Sequence, residues 1–150
     1  MTPQPSDDSK AIMTARLLGY GGLLPFLFLA GAVLFELRTP FAPASALLIG
    51  YGAIILSFVG ALHWGAEFNK AKGQMRALAF LWSILPALLG WAALMMPVAI
   101  ATSLLIAGLI SCLLYDLKIL KAGHWPSWMR ALRLTLTLLA CVSLSANYSL

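Results

Sequence analysis

Charged residues are scarce in this sequence. They make up 10% of its 150 residues, and hydrophobic residues make up 61%, whereas an average soluble domain has about 25% charged residues. A water-facing surface could hardly be assembled from so few charges. The composition therefore argues strongly against a soluble domain and indicates an integral membrane protein with a single membrane unit.

Cysteine is also scarce, and the usual motifs of metal and nucleotide chemistry are missing. Cys112 and Cys141 fall at different depths of their predicted helices, so we expect apolar core residues rather than a disulfide. His63, Glu67 and Asp116 offer ligand atoms for a metal ion, but they do not occur in an HExxH, CxxC or similar metal-binding motif. Neither a phosphate loop nor a nucleophile with its base is recognisable. We therefore expect no metal, no cofactor and no enzymatic activity.

Long hydrophobic runs take the place of polar sequence. A helix of about 20 residues crosses the hydrocarbon core of a bilayer. The run over 77–115 is too long for one crossing, and Pro97 indicates a turn inside it because proline is tolerated as the first residue of a helix. The sequence predicts an all-α bundle with five transmembrane helices, at about 17–35, 45–66, 77–95, 98–115 and 132–148.

Two prolines lie inside these runs, Pro25 in the first and Pro86 in the third. Proline has no amide proton and leaves a carbonyl without its helical partner. We therefore expect each of the two helices to bend at its proline.

The first residues are polar and show no apolar period. We expect 1–15 to form a flexible cytoplasmic tail and 16–150 to form the five-helix transmembrane domain. Ala30-Gly31-Ala32 has the form of a signal-peptidase site, but the apolar run continues past it and two acidic residues precede it. We therefore expect the first segment to be retained.

Basic residues lie on alternate connections of the predicted bundle. All ten except Arg38 precede segment one, join segments two and three, or join segments four and five. The positive-inside rule then places the amino terminus in the cytoplasm and the carboxyl terminus outside. The net charge of +5 is explained by lipid headgroups, so no nucleic acid is expected as a partner. Trp64, Trp125 and Trp128 fall near the basic face, where we expect them to anchor in the interface.

Segment two has a face of small residues. Ala53, Ser57, Ala61 and Gly65 recur at every fourth position and predict a seam on which another helix packs closely. The second helix could belong to the same bundle or to another copy of the chain, and the spacing favours neither.

Ionisable residues collect at the basic end of the predicted bundle. Gly60, His63 and Glu67 share one line on segment two, on the side opposite the seam, and the last two can hydrogen-bond to each other. Such groups either line a cytoplasm-facing pocket for a proton, ion or ligand, or simply pair at the interface. The candidate polar pocket comprises Arg16, His63, Glu67, Arg76, Asp116 and Arg133.

Several stretches together resemble a known family. They are LGYGGLLPF at 18–26, YGAIILSFVG at 51–60, HWG at 63–65, SILP at 83–86 with Trp91, and Tyr115-Asp116 followed by 128–134. Over about 17–144 the sequence resembles the domain-of-unknown-function family 3429, whose animal relatives are called transmembrane protein 69. The resemblance implies a bacterial inner-membrane protein, or a mitochondrial inner-membrane protein in a eukaryote, with about five spans. It implies no activity.

Two classes of function remain open. In the first, the protein is a non-catalytic accessory or assembly partner of a larger membrane complex, or a homo-oligomer, and acts through helix packing. In the second, it is a small transporter, channel or lipid- or quinone-binding protein with a cytoplasm-facing pocket around His63 and Glu67. An enzyme acting on lipid or quinone is the least favoured, because no residue stands out as nucleophile or base.

Overall fold

A computed structural model describes residues 5–68, 77–121 and 128–149, and every regular element in these ranges is helical. The α-helices are α1 (Pro5–Gly21), α2 (Leu24–Leu34), α3 (Ala44–Phe68), α4 (Ala77–Ala93), α5 (Val98–Lys121) and α6 (Trp128–Ser145). A short 3-10 helix, Ala146–Ser149, follows α6. The prediction of an all-α membrane bundle is confirmed.

Four helical stretches of the described residues are long and apolar enough to cross a membrane. They are Asp8–Leu34, Ala44–Phe68, Val98–Lys118 and Trp128–Ser149. The shorter apolar helix, α4, has 17 residues, and a span needs at least about 17. The crossing by α4 is therefore the one that length supports least.

The first span is two helices rather than one. Helix α1 ends at Gly21, and α2 begins at Leu24 with Pro25 in its first turn. Proline is tolerated there because the first amides of a helix have no partner inside it. Pro25 therefore lies in the first turn of α2 rather than inside one continuous helix, and the bend expected there stays a prediction. Pro86, by contrast, lies inside α4 as predicted.

The structure also differs from the expected flexible tail over 1–15, because α1 is helical from Pro5. Proline suits the first position of a helix, and the acid Asp8 follows in the first turn, where a negative charge interacts favourably with the helix dipole. These local signals extend the helix beyond the apolar run.

Helix α3 is the centre of the bundle and contacts α2, α4, α5 and α6. Its closest neighbour is α4. A Cβ atom added to Gly60 would lie 2.6 Å from the carbonyl oxygen of Ser83, and one added to Gly90 would lie 2.9 Å from that of Ala53. Both glycines therefore allow a backbone approach that no larger residue permits.

Only part of the predicted seam on α3 faces another helix. Ala53 is buried and Ser57 half-buried, whereas Ala61 and Gly65 are exposed. At about 100° per residue, positions four apart drift by about 40° at each step, so Gly65 lies about 120° from Ala53. Gly60, seven positions after Ala53, stays within about 20° of it. Gly60 therefore belongs to the packed face and not to the opposite one.

The outer surface of the bundle is apolar. Leu17, Phe28, Leu78 and Val142 are each more than 65% exposed. Large apolar side chains on every outer helix face suit lipid contact and would be costly in water.

Candidate functional site

Three ionisable side chains from three helices meet at one end of the bundle. His63 of α3, Asp116 of α5 and Arg133 of α6 each lie five residues from the end of their helix on that side. Five residues correspond to about 7.5 Å along a helix. The site therefore lies inside the bundle, one to two turns from the connections that carry most of the basic residues.

The carboxylate of Asp116 is the centre of this group, which we call the buried triad. Its Oδ1 lies 2.5 Å from Nε2 of His63, and its Oδ2 accepts a hydrogen bond of 2.6 Å from Nε of Arg133. Asp116 is fully buried, and His63 and Arg133 are 3% and 6% exposed. With an ionised carboxylate, His63 donates its Nε2 proton, and the charge of Arg133 is balanced.

Aromatic rings cover the imidazole of the triad. The ring of Tyr115 meets that of His63 edge to face, with centroids 5.0 Å apart. The indole of Trp82, on α4, lies 5.1 Å from Tyr115. Through these rings α4 reaches the triad as well.

Glu67 lies one turn beyond His63 on α3 and is 3% exposed. Its position makes it a fourth buried ionisable side chain at this end of the bundle. The spacing predicts that His63 and Glu67 can hydrogen-bond to each other, which stays a prediction, and the Nε2 atom of His63 contacts Asp116. Spacing within one helix could not reveal that partner, since it belongs to α5.

The other candidate residues are not part of the triad. Arg16 is exposed, and its guanidinium lies 5.7 Å from the centre of the Trp128 ring. Trp64 is 38% exposed, as an interfacial anchor should be. Arg76 and Trp125 lie outside the described residues.

The geometry of the triad bears on three kinds of chemistry: substrate binding, metal binding and proton transfer. Both oxygens of Asp116 are engaged by protein donors, so the carboxylate is not presented to a substrate. Across residues 5–68, 77–121 and 128–149, no three side chains of His, Cys, Asp and Glu are grouped so that they could hold a metal ion. The arrangement can tie three helices together, and its imidazole can carry a proton.

A second buried polar pair lies at the opposite end of α5, and the sequence reading missed it. Nδ2 of Asn147 donates to Oγ1 of Thr102 over 3.1 Å, and the two residues are 3% and 0% exposed. Nearby, the hydroxyls of Ser103 and Tyr148 are 2.7 Å apart. Asn147 is the one asparagine between positions 128 and 149 and was the available signal, but its partner is on another helix.

A family model described as "Protein of unknown function (DUF3429)" matches residues 11–149. The chain belongs to the DUF3429 family. Transmembrane protein 69 of Xenopus tropicalis is 39% identical over 136 residues, which are 87% of this chain and 51% of that protein. Transmembrane protein 69 of Mus musculus is 34% identical over 135 residues, which are 86% of this chain and 53% of that protein. This DUF3429 chain thus spans about half the length of these relatives. No solved structure matches it.

The stretches that carry the resemblance to the DUF3429 family are in contact with one another. Tyr51 donates its hydroxyl proton to the carbonyl of Gly22 over 2.7 Å, which joins the stretch at 51–60 to that at 18–26. His63 and Asp116 join HWG to Tyr115-Asp116. These DUF3429 stretches therefore hold the helices in place.

Proposed function

We propose that this DUF3429 protein is a non-catalytic membrane protein that acts through helix packing, as an accessory or assembly partner of a larger complex or as a homo-oligomer. We place it in a bacterial inner membrane, or in the mitochondrial inner membrane of a eukaryote. One observation carries the proposal. Asp116 is fully buried, and its two carboxylate oxygens contact side chains of two other helices, His63 on α3 and Arg133 on α6. A carboxylate used in this way fixes helix positions.

The surface that such packing would use is the outer side of α3 at its basic end. Ala61 and Gly65 are exposed there, and a Cβ atom added to Gly65 would meet nothing within 4 Å. Small residues let a second helix approach closely in a bilayer, where van der Waals contact drives association. The rigid bundle then serves to present this face.

The test is the mass of the full chain extracted in a mild detergent. We expect a complex heavier than the 16.1 kDa monomer. Gly65→Leu should return the chain to a monomer without changing its melting temperature. Gly50→Leu is the matched control, because Gly50 is also on α3 and has nothing within 4 Å of an added Cβ. A wild-type monomer, or equal effects of the two substitutions, would contradict the proposal.

A second candidate is a small transporter, channel or lipid- or quinone-binding protein with a polar pocket around His63 and Glu67. The observation that favours it is the burial of these two ionisable residues beside Asp116 and Arg133. Ionisable side chains inside membrane bundles often belong to proton or ion paths. In this function the triad would carry a proton between its imidazole and the basic end.

Proteoliposomes that contain a pH-sensitive dye test the second candidate. We expect His63→Ala and Glu67→Gln to reduce proton flux, and the melting temperature of each variant shows whether it remains folded. Glu36→Gln serves as the control, because Glu36 lies after α2, at the opposite end of the bundle. Unchanged flux and unchanged stability in both variants would exclude this function.

A further inference from the structure

An apolar groove lies where the break between α1 and α2 faces α3 and α6. Its volume is about 140 Å³. Gly22 and Phe26 line it on one side, Phe58 on α3, and Thr137 and Ala140 on α6. None of these residues belongs to the buried triad or to the small-residue face of α3.

The groove has the size and the position of a site for a hydrocarbon chain. An apolar cavity of about 150 Å³ holds a benzene molecule, so this volume accommodates several methylene groups. Phe58, at its rim, is 59% exposed, and the walls belong to the membrane-crossing stretches. The groove therefore opens toward the acyl chains of the bilayer.

A cation lies beyond the basic end of the groove. Arg16 is three residues before Gly19, which lines the groove, so about 4.5 Å of helix separates the two positions. Within the described residues, the guanidinium is held by its contact with the ring of Trp128 and forms no ion pair. The side chain is exposed, so its N–H donors can bind a phosphate.

We propose that the groove binds one acyl chain of an anionic phospholipid whose phosphate is bound by Arg16. The apolar walls select a hydrocarbon chain, and the exposed arginine one turn away selects a negatively charged headgroup. A tryptophan beneath the arginine suits the headgroup level of a bilayer. This lipid site goes beyond the proposed packing function and does not depend on it.

Native mass spectrometry of the full chain in detergent tests whether the protein prefers an anionic headgroup. The probes are phosphatidylglycerol and phosphatidylcholine with identical acyl chains. We expect the anionic lipid to bind more tightly, and Arg16→Gln to lower its affinity about fivefold, as expected for the loss of one basic residue near a lipid surface. Arg130→Gln is the charge-matched control. Arg130 is exposed, and it lies two residues, or about 200° of helix, from Trp128.

Two variants that fill the groove test whether the acyl chain of the lipid binds there. Ala140→Leu should abolish the binding of both lipids, whereas Val142→Leu, at a position that is 67% exposed on the same helix, should not. Ile55→Phe fills the groove from the α3 side and gives a second readout if Ala140→Leu does not fold. Melting temperatures identify variants that have lost their structure.

Several results would overturn the lipid site. Equal affinities of the wild type for the two phospholipids would remove the role of Arg16, as would equal effects of Arg16→Gln and Arg130→Gln. Undiminished binding in a folded Ala140→Leu or Ile55→Phe variant would remove the role of the groove. Competition by glycerol phosphate as strong as that by the lipid would show a headgroup site alone. Displacement by a quinone independent of Arg16 would assign the groove to the quinone.

Discussion

At the scale of single residues, the buried triad pairs one carboxylate with an imidazole and a guanidinium in the interior of the bundle. Asp116 and Arg133 are opposite charges inside the protein, and each is costly to bury alone. His63 adds a hydrogen bond that occupies the second carboxylate oxygen. Both oxygens of the Asp116 carboxylate are therefore paired, so the loss of one member of the triad exposes the desolvation cost of the others.

Asp116→Asn should therefore lower the free energy of unfolding by about 3–5 kcal/mol, because it leaves a buried guanidinium uncompensated. Chemical unfolding in detergent micelles measures this. Asp8→Asn is the control. Asp8 is exposed, so its substitution should change stability by no more than about 0.5 kcal/mol.

Replacing both charges should cost less than replacing one. Buried ion pairs exchanged for apolar residues of similar volume are often neutral or stabilising, so Asp116→Leu combined with Arg133→Met should recover most of the loss. A double variant that is less stable than Asp116→Asn would show that the triad contributes more than charge balance.

At the scale of helices, the pairing of α3 and α4 depends on two glycines. Gly60 lies against the backbone at Ser83, and Gly90 lies against that at Ala53. The helices approach so closely because neither glycine has a side chain, and the packing places the aromatic ring of Trp82 near the triad.

Gly60→Ala should destabilise the bundle by about 1–3 kcal/mol, since the new methyl group would overlap a backbone oxygen that cannot move freely. Thermal unfolding in detergent measures the effect. Gly31→Ala, on α2, is the matched control. Its added Cβ meets nothing within 4 Å, so it should be neutral or slightly stabilising. Equal destabilisation by both substitutions would contradict the proposed packing.

Helix positions were predictable from the sequence to the extent that they depend on local signals. The apolar run that begins at Ala77 and the proline before Val98 coincide with the starts of α4 and α5. The break at Gly22 was not predictable from the apolar run, because Tyr51 of another helix caps the free carbonyl there. After Ser57 the predicted seam turns away from the neighbouring helix of the same chain, because a four-residue repeat drifts around a helix of 3.6 residues per turn.

At the scale of the whole molecule, the sequence predicted which ends meet but not which side chains touch. The basic connections indicate that α3 and α5 end, and α6 begins, on one side, and the contacts of His63, Asp116 and Arg133 agree with this. The partners are far apart in the chain, since Asp116 follows His63 by 53 positions. Periodicity reports neighbours on one helix only, so the triad itself needed the structure.

We predict that the chain crosses the membrane five times and keeps its basic connections in the cytoplasm. Fusions of an export-dependent phosphatase and a cytoplasm-dependent fluorescent protein, placed at Gly73 and after Leu150, test it most directly. We predict fluorescence at Gly73 and phosphatase activity at Leu150, on opposite sides of the membrane. The same compartment for both positions would show that α4 does not cross, and would contradict the five-span architecture.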